Sequence, residues 1–188
     1  AVSFLEKSKD STFQIASMAK KPLKRMPAPP FTTSTLQQEA ARKLGFTVSQ
    51  TMMIAQRLYE GGHITYMRTD SVNLSTLARG AAKEKIEKLY GESYSRSRNY
   101  QTHAKGAQEA HEAIRPTYMD KTQIDGTAQE KKLYELIWKR TIASQMAEAQ
   151  IEKTTVSVSI SGASETFTSV GEMITFDGFL KVYRESTD

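Results

Sequence analysis

The spacing of apolar residues changes twice along these 188 residues, and this change constrains the fold more than any other feature. Phe13 and Ile15 lie two residues apart, as in a half-buried strand over residues 12–18. From Leu36 onward the apolar residues recur every three or four positions, as they do in helices. Beyond residue 150 the spacing returns to two, at Val156, Val158 and Ile160. The sequence therefore predicts a helical block between two β-rich ends.

The run KKPLKRMPAPP at residues 20–30 lies between the first predicted strand and the helices. Its four prolines remove backbone donors and favour extended or polyproline conformations, and four cations accompany them. We interpret this run as a linker and as a domain boundary.

Two short helices are predicted after this run. Their start signals are N-cap residues and their stop signals are glycines: Ser34 with Gln37, then Gly45, for the first helix, and Thr47 or Ser49, then Gly61 and Gly62, for the second. Residues 63–67 follow as a β-like piece. This order is typical of a helix-turn-helix with a wing.

Two longer helices are predicted in the second half of the block. Ser75 can cap one with an apolar face of Leu77, Ala81, Ile86 and Leu89. Thr127 and Glu130 have the spacing of a capping box and open the other, which runs to about Met146 and turns Leu133, Leu136, Ile137 and Ile142 inward.

The remaining segments are a loop and a final strand. Residues 92–108 are polar, carry Arg96, Arg98 and Lys105, and are predicted to form an exposed loop. Residues 179–183 are predicted as a last short strand.

Charge is distributed unevenly. The formal net charge is +5, composed of +4 in residues 1–31, +5 in residues 32–145 and −4 in residues 146–188. The basic part favours polyanions such as nucleic acid. Because the chain has no cysteine, disulfide frameworks, thiolate metal sites and cysteine nucleophiles are excluded, and a reducing compartment is expected. No apolar run is long enough to span a membrane.

The segment GGHITYMRTDS at residues 61–71 carries the most chemistry. If residues 64–68 are extended, Tyr66 and Arg68 share one face. A tyrosine hydroxyl, with a pKa of about 10, needs help as a nucleophile, and a fixed cation both favours the phenolate and binds a phosphate. Asp70 could orient the arginine or accept a proton. Spacing alone, however, favours an ordinary surface pair.

Three strings are similar to those of the bacterial type IA DNA topoisomerases: PAPPFTTSTLQQEAARKLGF at 27–46, TMMIAQRLYEGGHITYMRTDS at 51–71 and QEAHEAIRPT at 108–117, in the same order and spacing as in that family. The resemblance implies that Tyr66 attacks a DNA phosphodiester and becomes linked to the 5′ phosphate, and that Arg68 stabilises the developing charge. It also implies that His111 and Arg115 lie beside the DNA backbone, on one face if their segment is helical. Further predicted DNA-binding residues are Asp70, Arg57 and Thr69.

The same resemblance implies parts that these residues do not contain. The family uses a D-x-D-x-E site in a Toprim domain to bind magnesium, and no two aspartates here are separated by one residue. We therefore expect a fragment with no metal site or cofactor of its own. Its expected partners are single-stranded DNA and the Toprim and arch domains of the full-length enzyme. That enzyme is expected to be cytoplasmic, nucleoid-associated and Mg²⁺-dependent. Alone, it is expected not to relax DNA and to bind single-stranded DNA weakly.

The expected fold class is α+β: a helical winged-helix (CAP-like) domain of residues 32–145, carrying the tyrosine, inserted into a partial β-rich hinge or arch domain of residues 1–31 and 146–188. Two other functions stay open. One is a non-catalytic winged-helix DNA-binding module, and the other is an interaction scaffold without affinity for nucleic acid. A zinc protease is excluded because HEAIR lacks the second histidine of HExxH.

Overall fold

A computed structural model describes residues 2–100 and 111–184. The distal part of the predicted loop, with Lys105, and residues 108–110 of the third family string lie outside the described residues. The chain divides into two compact units: a sheet unit of Ala1–Arg25 and Ala149–Asp177, and a helical unit of Met26–Glu148 and Gly178–Asp188. The second unit is thus inserted in sequence between the halves of the first, with bounds a few residues away from those predicted and with the last residues on the helical side.

The sheet unit contains three antiparallel strands in the order β1-β2-β3. Strand β1 is Phe13–Arg25, β2 is Ala149–Ile160 and β3 is Thr166–Phe176. β1 pairs with β2 from Phe13 opposite Ile160 to Arg25 opposite Ala149, with a bulge between Ile15 and Ser17. The return to two-residue spacing beyond residue 150 therefore correctly predicts sheet.

The first part of the expected linker belongs to β1. Pro22 pairs with Glu152, and Lys20 forms an ion pair of 2.7 Å with the same carboxylate. The linker interpretation of residues 20–25 is wrong, because these residues are part of β1. The strand can contain Pro22 because β1 lies at the edge of the sheet, where a residue without an N–H is tolerated.

A short helix, α1, precedes the sheet at Val2–Ser8 and was not predicted. Its Phe4 ring lies 5.3 Å from the ring of Phe167 on β3, and Phe167 in turn lies 6.0 Å from Phe13. These rings cover one end of the sheet with apolar surface.

The helical unit packs three helices against a fourth. These are α2 at Thr33–Leu44, α3 at Val48–Glu60, α4 at Thr76–Tyr90 and the central α5 at Ala128–Ser144. Short 3-10 helices lie at Glu92–Tyr94 and Gly178–Lys181. The core is formed by fully buried side chains from all four helices: Leu36, Ile54, Leu58, Ile86, Leu133, Ile137 and Ile142.

Most predicted helix ends are confirmed. Gly45 ends α2 with a φ of 68°, Ser75 caps α4, and Thr127 with Glu130 forms the capping box of α5. The start of α2 is different, because the capping box joins Thr32 and Thr35 and not Ser34 and Gln37. Of the two residues proposed to cap α3, Thr47 is the one used.

The predicted inner face of α4 is wrong at both leucines. Leu77 is 85% exposed and Leu89 is also exposed, whereas Ala78, Ala82 and Ile86 are buried. These three residues recur every four positions, and the two alanines allow close approach of the helix to the core.

The last predicted strand, at residues 179–183, is also wrong. Phe179 and Leu180 form part of the 3-10 helix Gly178–Lys181 and are buried, as is Tyr183. Gly178 adopts a φ of +51°, and a Cβ there would lie 2.5 Å from the carbonyl oxygens of Ala147 and Glu148. Only glycine fits this close approach of two backbones.

The described residues thus form a mixed fold of helices and one three-stranded antiparallel sheet, as the α+β class predicts. The wing strand expected at residues 63–67 is not formed, and an isolated bridge joins Ile64 to Pro116 in its place. In the described part of the chain, no helix is long and apolar enough to cross a membrane.

Candidate active site around Tyr66

Side chains of residues 66–71 alternate between solvent and interior. Tyr66, Arg68 and Asp70 are exposed, with Tyr66 at 47%, whereas Met67, Thr69 and Ser71 are buried. The alternation requires no strand, since the buried side chains alone fix the direction of the exposed ones. The tyrosine and the arginine therefore point to solvent from the same segment.

Thr65 fixes this segment on the side before Tyr66. Its N–H donates to the Arg115 carbonyl at 2.9 Å, and its hydroxyl donates to the Ala113 carbonyl at 2.7 Å. The same hydroxyl accepts the Arg115 N–H at 3.0 Å. The residue before the tyrosine is thus bonded in register to residues 113–115.

Thr33, the first residue of α2, fixes the segment on the side beyond Tyr66. Its hydroxyl donates to the Met67 carbonyl at 2.7 Å and accepts the Thr69 N–H at 2.9 Å. Its own N–H donates to the Thr69 carbonyl at 2.9 Å. Sequence reasoning missed both threonines, although each lies in a string that carries the resemblance.

Tyr59 is a second aromatic residue at the site that sequence reasoning missed. Its ring meets the Tyr66 ring edge to face, with centroids 5.2 Å apart. Tyr59 lies in the last turn of α3, just before the glycines that turn the chain back. The sequence signal for this contact was the position of Tyr59 at the end of a predicted helix, just before Gly61 and Gly62 turn the chain back toward Tyr66.

Arg115 lies in a cluster that supports the site and is not itself open to solvent. Its guanidinium contacts the Glu112 carboxylate at 2.5 Å and the Pro116 carbonyl at 2.9 Å, and its side chain is only 15% exposed. Glu112 also accepts the N–H of Ser75, the cap of α4, at 2.7 Å. Burial raises the pKa of Glu112, but the bonds from Arg115 and Ser75 outweigh burial and lower it.

His111 is exposed, and the described residues around it are not helical. The condition under which His111 and Arg115 would share a helix face is therefore not met. Residues 113–116 instead run extended between the Thr65 segment and the Phe31 segment. Ile114 donates its N–H to the Phe31 carbonyl, and the Arg115 carbonyl accepts the N–H of Thr65.

The other predicted DNA-binding residues differ in accessibility. Arg57 and Asp70 are exposed, and Arg57 contributes with His63 to lowering the pKa of Glu130, after the larger effect of the bonds from Thr127. Thr69 is only 9% exposed, and its hydroxyl accepts the Ser71 N–H at 3.0 Å. Its side chain therefore presents little surface to a ligand.

A buried polar network lies beneath the site. Tyr183 donates to Glu39 at 2.7 Å, and Arg140 donates from Nε to the Pro29 carbonyl at 2.7 Å while stacking on the Phe31 ring at 4.9 Å. Burial, together with the bond to Glu39, strongly raises the pKa of Tyr183. Phe31, which bonds the Ile114 segment, thus rests on a fixed cation.

Residues 94–100 are less exposed than predicted. Arg98 forms an ion pair of 3.1 Å with Glu148 and donates to the Met146 carbonyl, and its side chain is 13% exposed. The Tyr100 hydroxyl donates to the Pro27 carbonyl at 3.0 Å. This polar stretch packs on the end of α5 because that end offers unpaired carbonyls.

Within residues 2–100 and 111–184 no three histidine or acidic side chains lie together as a metal site. The described residues therefore do not fit the magnesium that the resemblance implies for a full-length enzyme.

The chain is similar to known proteins over most of its length. The sequence model of the family described as DNA topoisomerase matches residues 1–188. DNA topoisomerase 1 of Zymomonas mobilis is 50% identical over 178 residues, which cover 94% of this chain and 15% of that protein. DNA topoisomerase 1 of Mycolicibacterium smegmatis is 51% identical over 186 residues, which cover 93% of this chain and 20% of that protein.

A solved structure is also similar. Full-length topoisomerase I from Thermotoga maritima matches with a TM-score of 0.82 and 39% identity, covering 97% of this chain and 31% of that one. The chain belongs to the DNA topoisomerase family, whose members are isomerases. The resemblance to bacterial topoisomerase I is thereby confirmed. The chain spans 15% to 20% of the length of the two curated relatives.

Proposed function

We propose that this chain supplies the nucleophile with which a type IA DNA topoisomerase opens one DNA strand. The Tyr66 oxygen loses its proton and bonds to phosphorus, the bond from phosphorus to the 3′ oxygen breaks, and that oxygen takes a proton. The reverse attack reseals the strand without ATP. The observation that carries this proposal is the joint exposure of Tyr66 and Arg68 on a segment bonded on both sides.

Arg68 is the proposed electrostatic partner. A guanidinium forms paired, charge-assisted hydrogen bonds with phosphate oxygens and stabilises the charge that develops during transfer. Being two residues from Tyr66 and exposed on the same side, it can reach the phosphate that the phenol attacks. Arg57, Asp70 and His111 are proposed to line the DNA path, since all three are exposed.

Arg115 is proposed to affect DNA binding mainly through its own main chain, which holds the segment before Tyr66 in place. Its guanidinium is engaged by Glu112, and its main chain is bonded to Thr65. Thr69 is likewise proposed to hold the loop in place, since its hydroxyl accepts the N–H of Ser71.

The complete activity, relaxation of negatively supercoiled DNA through strand passage, is proposed for a full-length protein with Toprim and arch domains at the nucleoid. Phosphoryl transfer depends largely on charge stabilisation, and the described residues offer an arginine but no metal site. The 188 residues alone are therefore expected not to relax DNA.

The alternative is a DNA-binding module without catalysis, in which α3 enters a groove as the second helix of a helix-turn-helix whose expected wing, at residues 63–67, forms only an isolated bridge. The contact between α2 and α3 supports the helix pair. This alternative predicts duplex binding with sequence preference and no covalent adduct.

The test compares Tyr66→Phe with the unchanged full-length protein on supercoiled plasmid. Tyr118→Phe is the matched control, because Tyr118 is also an exposed tyrosine, at 56%. Loss of relaxation in Tyr66→Phe alone supports the proposal, and retained relaxation by this variant refutes it.

A further inference from the structure

One hydroxyl group contacts both peptide groups that flank Arg68. Thr33 Oγ1 donates to the Met67 carbonyl oxygen at 2.7 Å and accepts the Thr69 N–H at 2.9 Å. The Met67 carbonyl belongs to the peptide group before Arg68, and the Thr69 N–H belongs to the peptide group after it. A single side chain is therefore bonded to both.

Fixing two peptide groups fixes the residue between them. Each peptide group is planar, so the only soft torsions between the two planes are φ and ψ of Arg68. With both planes bonded to one atom, the direction of the Cα–Cβ bond of Arg68 is set. The geometry requires no contact to the arginine side chain itself.

The bonds of Thr33 connect this loop to a rigid element. Thr33 is the first residue of α2, and its N–H is one of the donors that a helix cannot satisfy internally. That N–H donates to the Thr69 carbonyl oxygen at 2.9 Å, and the Thr33 hydroxyl also lies 3.1 Å from the same oxygen. The loop is thus attached at the N-terminus of a helix whose Leu36 and Ala40 are fully buried.

Burial keeps water from replacing these bonds. Met67 is 0% exposed and Thr69 is 9% exposed, so the carbonyl and the N–H lie on the interior side of the loop. Arg68 is exposed, and within residues 2–100 and 111–184 no ion pair or hydrogen bond to its guanidinium is found. Its direction therefore depends on its backbone.

We infer that Thr33 is a positioning residue that directs Arg68 toward the phosphate attacked by Tyr66. This inference rests on the proposed function. It assigns the start of α2 a part in the chemical step, through the loop that carries Arg68.

The experiment compares three variants of the full-length protein. Thr33→Val removes the hydroxyl with little change in shape, and Thr33→Ser retains it. Thr51→Val is the matched control, because Thr51 is fully buried and its hydroxyl donates at 2.9 Å to the carbonyl of Thr47, the N-cap of α3. The readouts are the rate constant for cleavage of a single-stranded oligonucleotide and the affinity for that oligonucleotide in a Tyr66→Phe background.

Thr33→Val is expected to lower the cleavage rate about 10-fold to 100-fold, the size of effect that a misplaced catalytic group produces, and to change the affinity little. Thr33→Ser is expected to restore most of the rate, and Thr51→Val to retain it.

Other outcomes separate this inference from the proposed function. Cleavage by Thr33→Val at the unchanged rate, with Tyr66→Phe inactive, overturns the role of Thr33 and leaves the nucleophile assignment intact. Equal losses in Thr33→Val and Thr51→Val, or no recovery in Thr33→Ser, also contradict it, since they indicate lost stability. Cleavage by Tyr66→Phe refutes the proposed function itself.

Discussion

The ring of Tyr59 meets the ring of Tyr66 edge to face at a centroid distance of 5.2 Å. The two rings come from different segments, one from the last turn of α3 and the other from the loop that follows its terminal glycines. Both are partly exposed, at 41% and 47%. The contact limits the orientations of the Tyr66 ring while about half of the residue stays open to solvent.

Tyr59→Ala is expected to slow DNA cleavage by the full-length protein. An aromatic pair contributes ~0.5–1.5 kcal/mol, so losing it reduces the population of the productive ring orientation by about 2-fold to 12-fold. Tyr59→Phe retains the ring and is expected to retain the rate. The measurement is single-turnover cleavage of a labelled oligonucleotide, with Tyr118→Ala as the control at another exposed tyrosine. A Tyr59→Ala rate equal to that of the control excludes this role.

Much of the helical unit follows from its sequence. The capping box at Thr127 and the left-handed stop at Gly45 are local features, and local hydrogen bonding decides them. The face of α4 does not follow from sequence, because leucine is more apolar than alanine but the packing selects Ala78 and Ala82. Residues 179–183 are apolar enough for a strand, yet their contacts require a 3-10 turn after Gly178.

The candidate site shows a similar division. The shared exposure of Tyr66 and Arg68 follows from the two-residue alternation, which survives without a β-ladder because Met67 and Thr69 are buried. The bonds from Thr33 join residues far apart in sequence, and no local pattern encodes them. The same is true of Glu112, whose partner Ser75 starts another helix.

The carboxylate of Glu112 is expected to make stability depend on acid pH. Bonds from Arg115 and Ser75 lower its pKa in the folded protein below the value of 4.5 for the free group. Such a group contributes stability that is present above 4.5 and is lost as pH falls through the folded value. Glu112→Gln should therefore lose less unfolding free energy on acidification than the unchanged protein.

Urea unfolding of the 188-residue chain at neutral and acid pH measures this difference. Glu84→Gln, at an exposed position on α4, is the control. Its unfolding free energy should fall at acid pH by as much as that of the unchanged protein. If acid lowers the unfolding free energy of Glu112→Gln and Glu84→Gln by the same amount, the Glu112 carboxylate does not cause the loss of stability at acid pH.

Tyr183→Phe is expected to destabilise the helical unit by about 1–3 kcal/mol, because it removes a hydrogen bond from the buried Glu39 carboxylate. Burial and the bond to Glu39 raise the pKa of Tyr183 above its ordinary 10.0, so its stability contribution is full below 10.0 and is lost as pH rises through the folded value. Urea unfolding near neutral pH and above 10.0 tests both statements. Tyr118→Phe should change neither, and a Tyr183→Phe variant as stable as this control contradicts the network's role.

Binding of single-stranded DNA is expected to weaken with salt through Arg57 and Arg68, which are exposed. Each phosphate neutralised on a single strand contributes about −0.7 to the slope of log affinity against log salt. Arg57→Ala and Arg68→Ala should each make the slope shallower by about that amount. Lys139→Ala, which removes a cation paired with Glu135 at 2.6 Å, is the control. Salt-independent binding, or no binding, favours a protein that does not act on DNA.

The nucleophile is identified most directly by finding which residue becomes covalently joined to DNA. The full-length protein is incubated with a single-stranded oligonucleotide, the covalent complex is trapped by denaturation, and the digested peptides are analysed by mass spectrometry. A 5′-phosphoryl nucleotide is expected on the peptide that contains Tyr66, and no such nucleotide is expected in Tyr66→Phe. A covalent nucleotide on another residue, or none in a protein that relaxes plasmid DNA, would contradict the assignment of Tyr66 as the nucleophile.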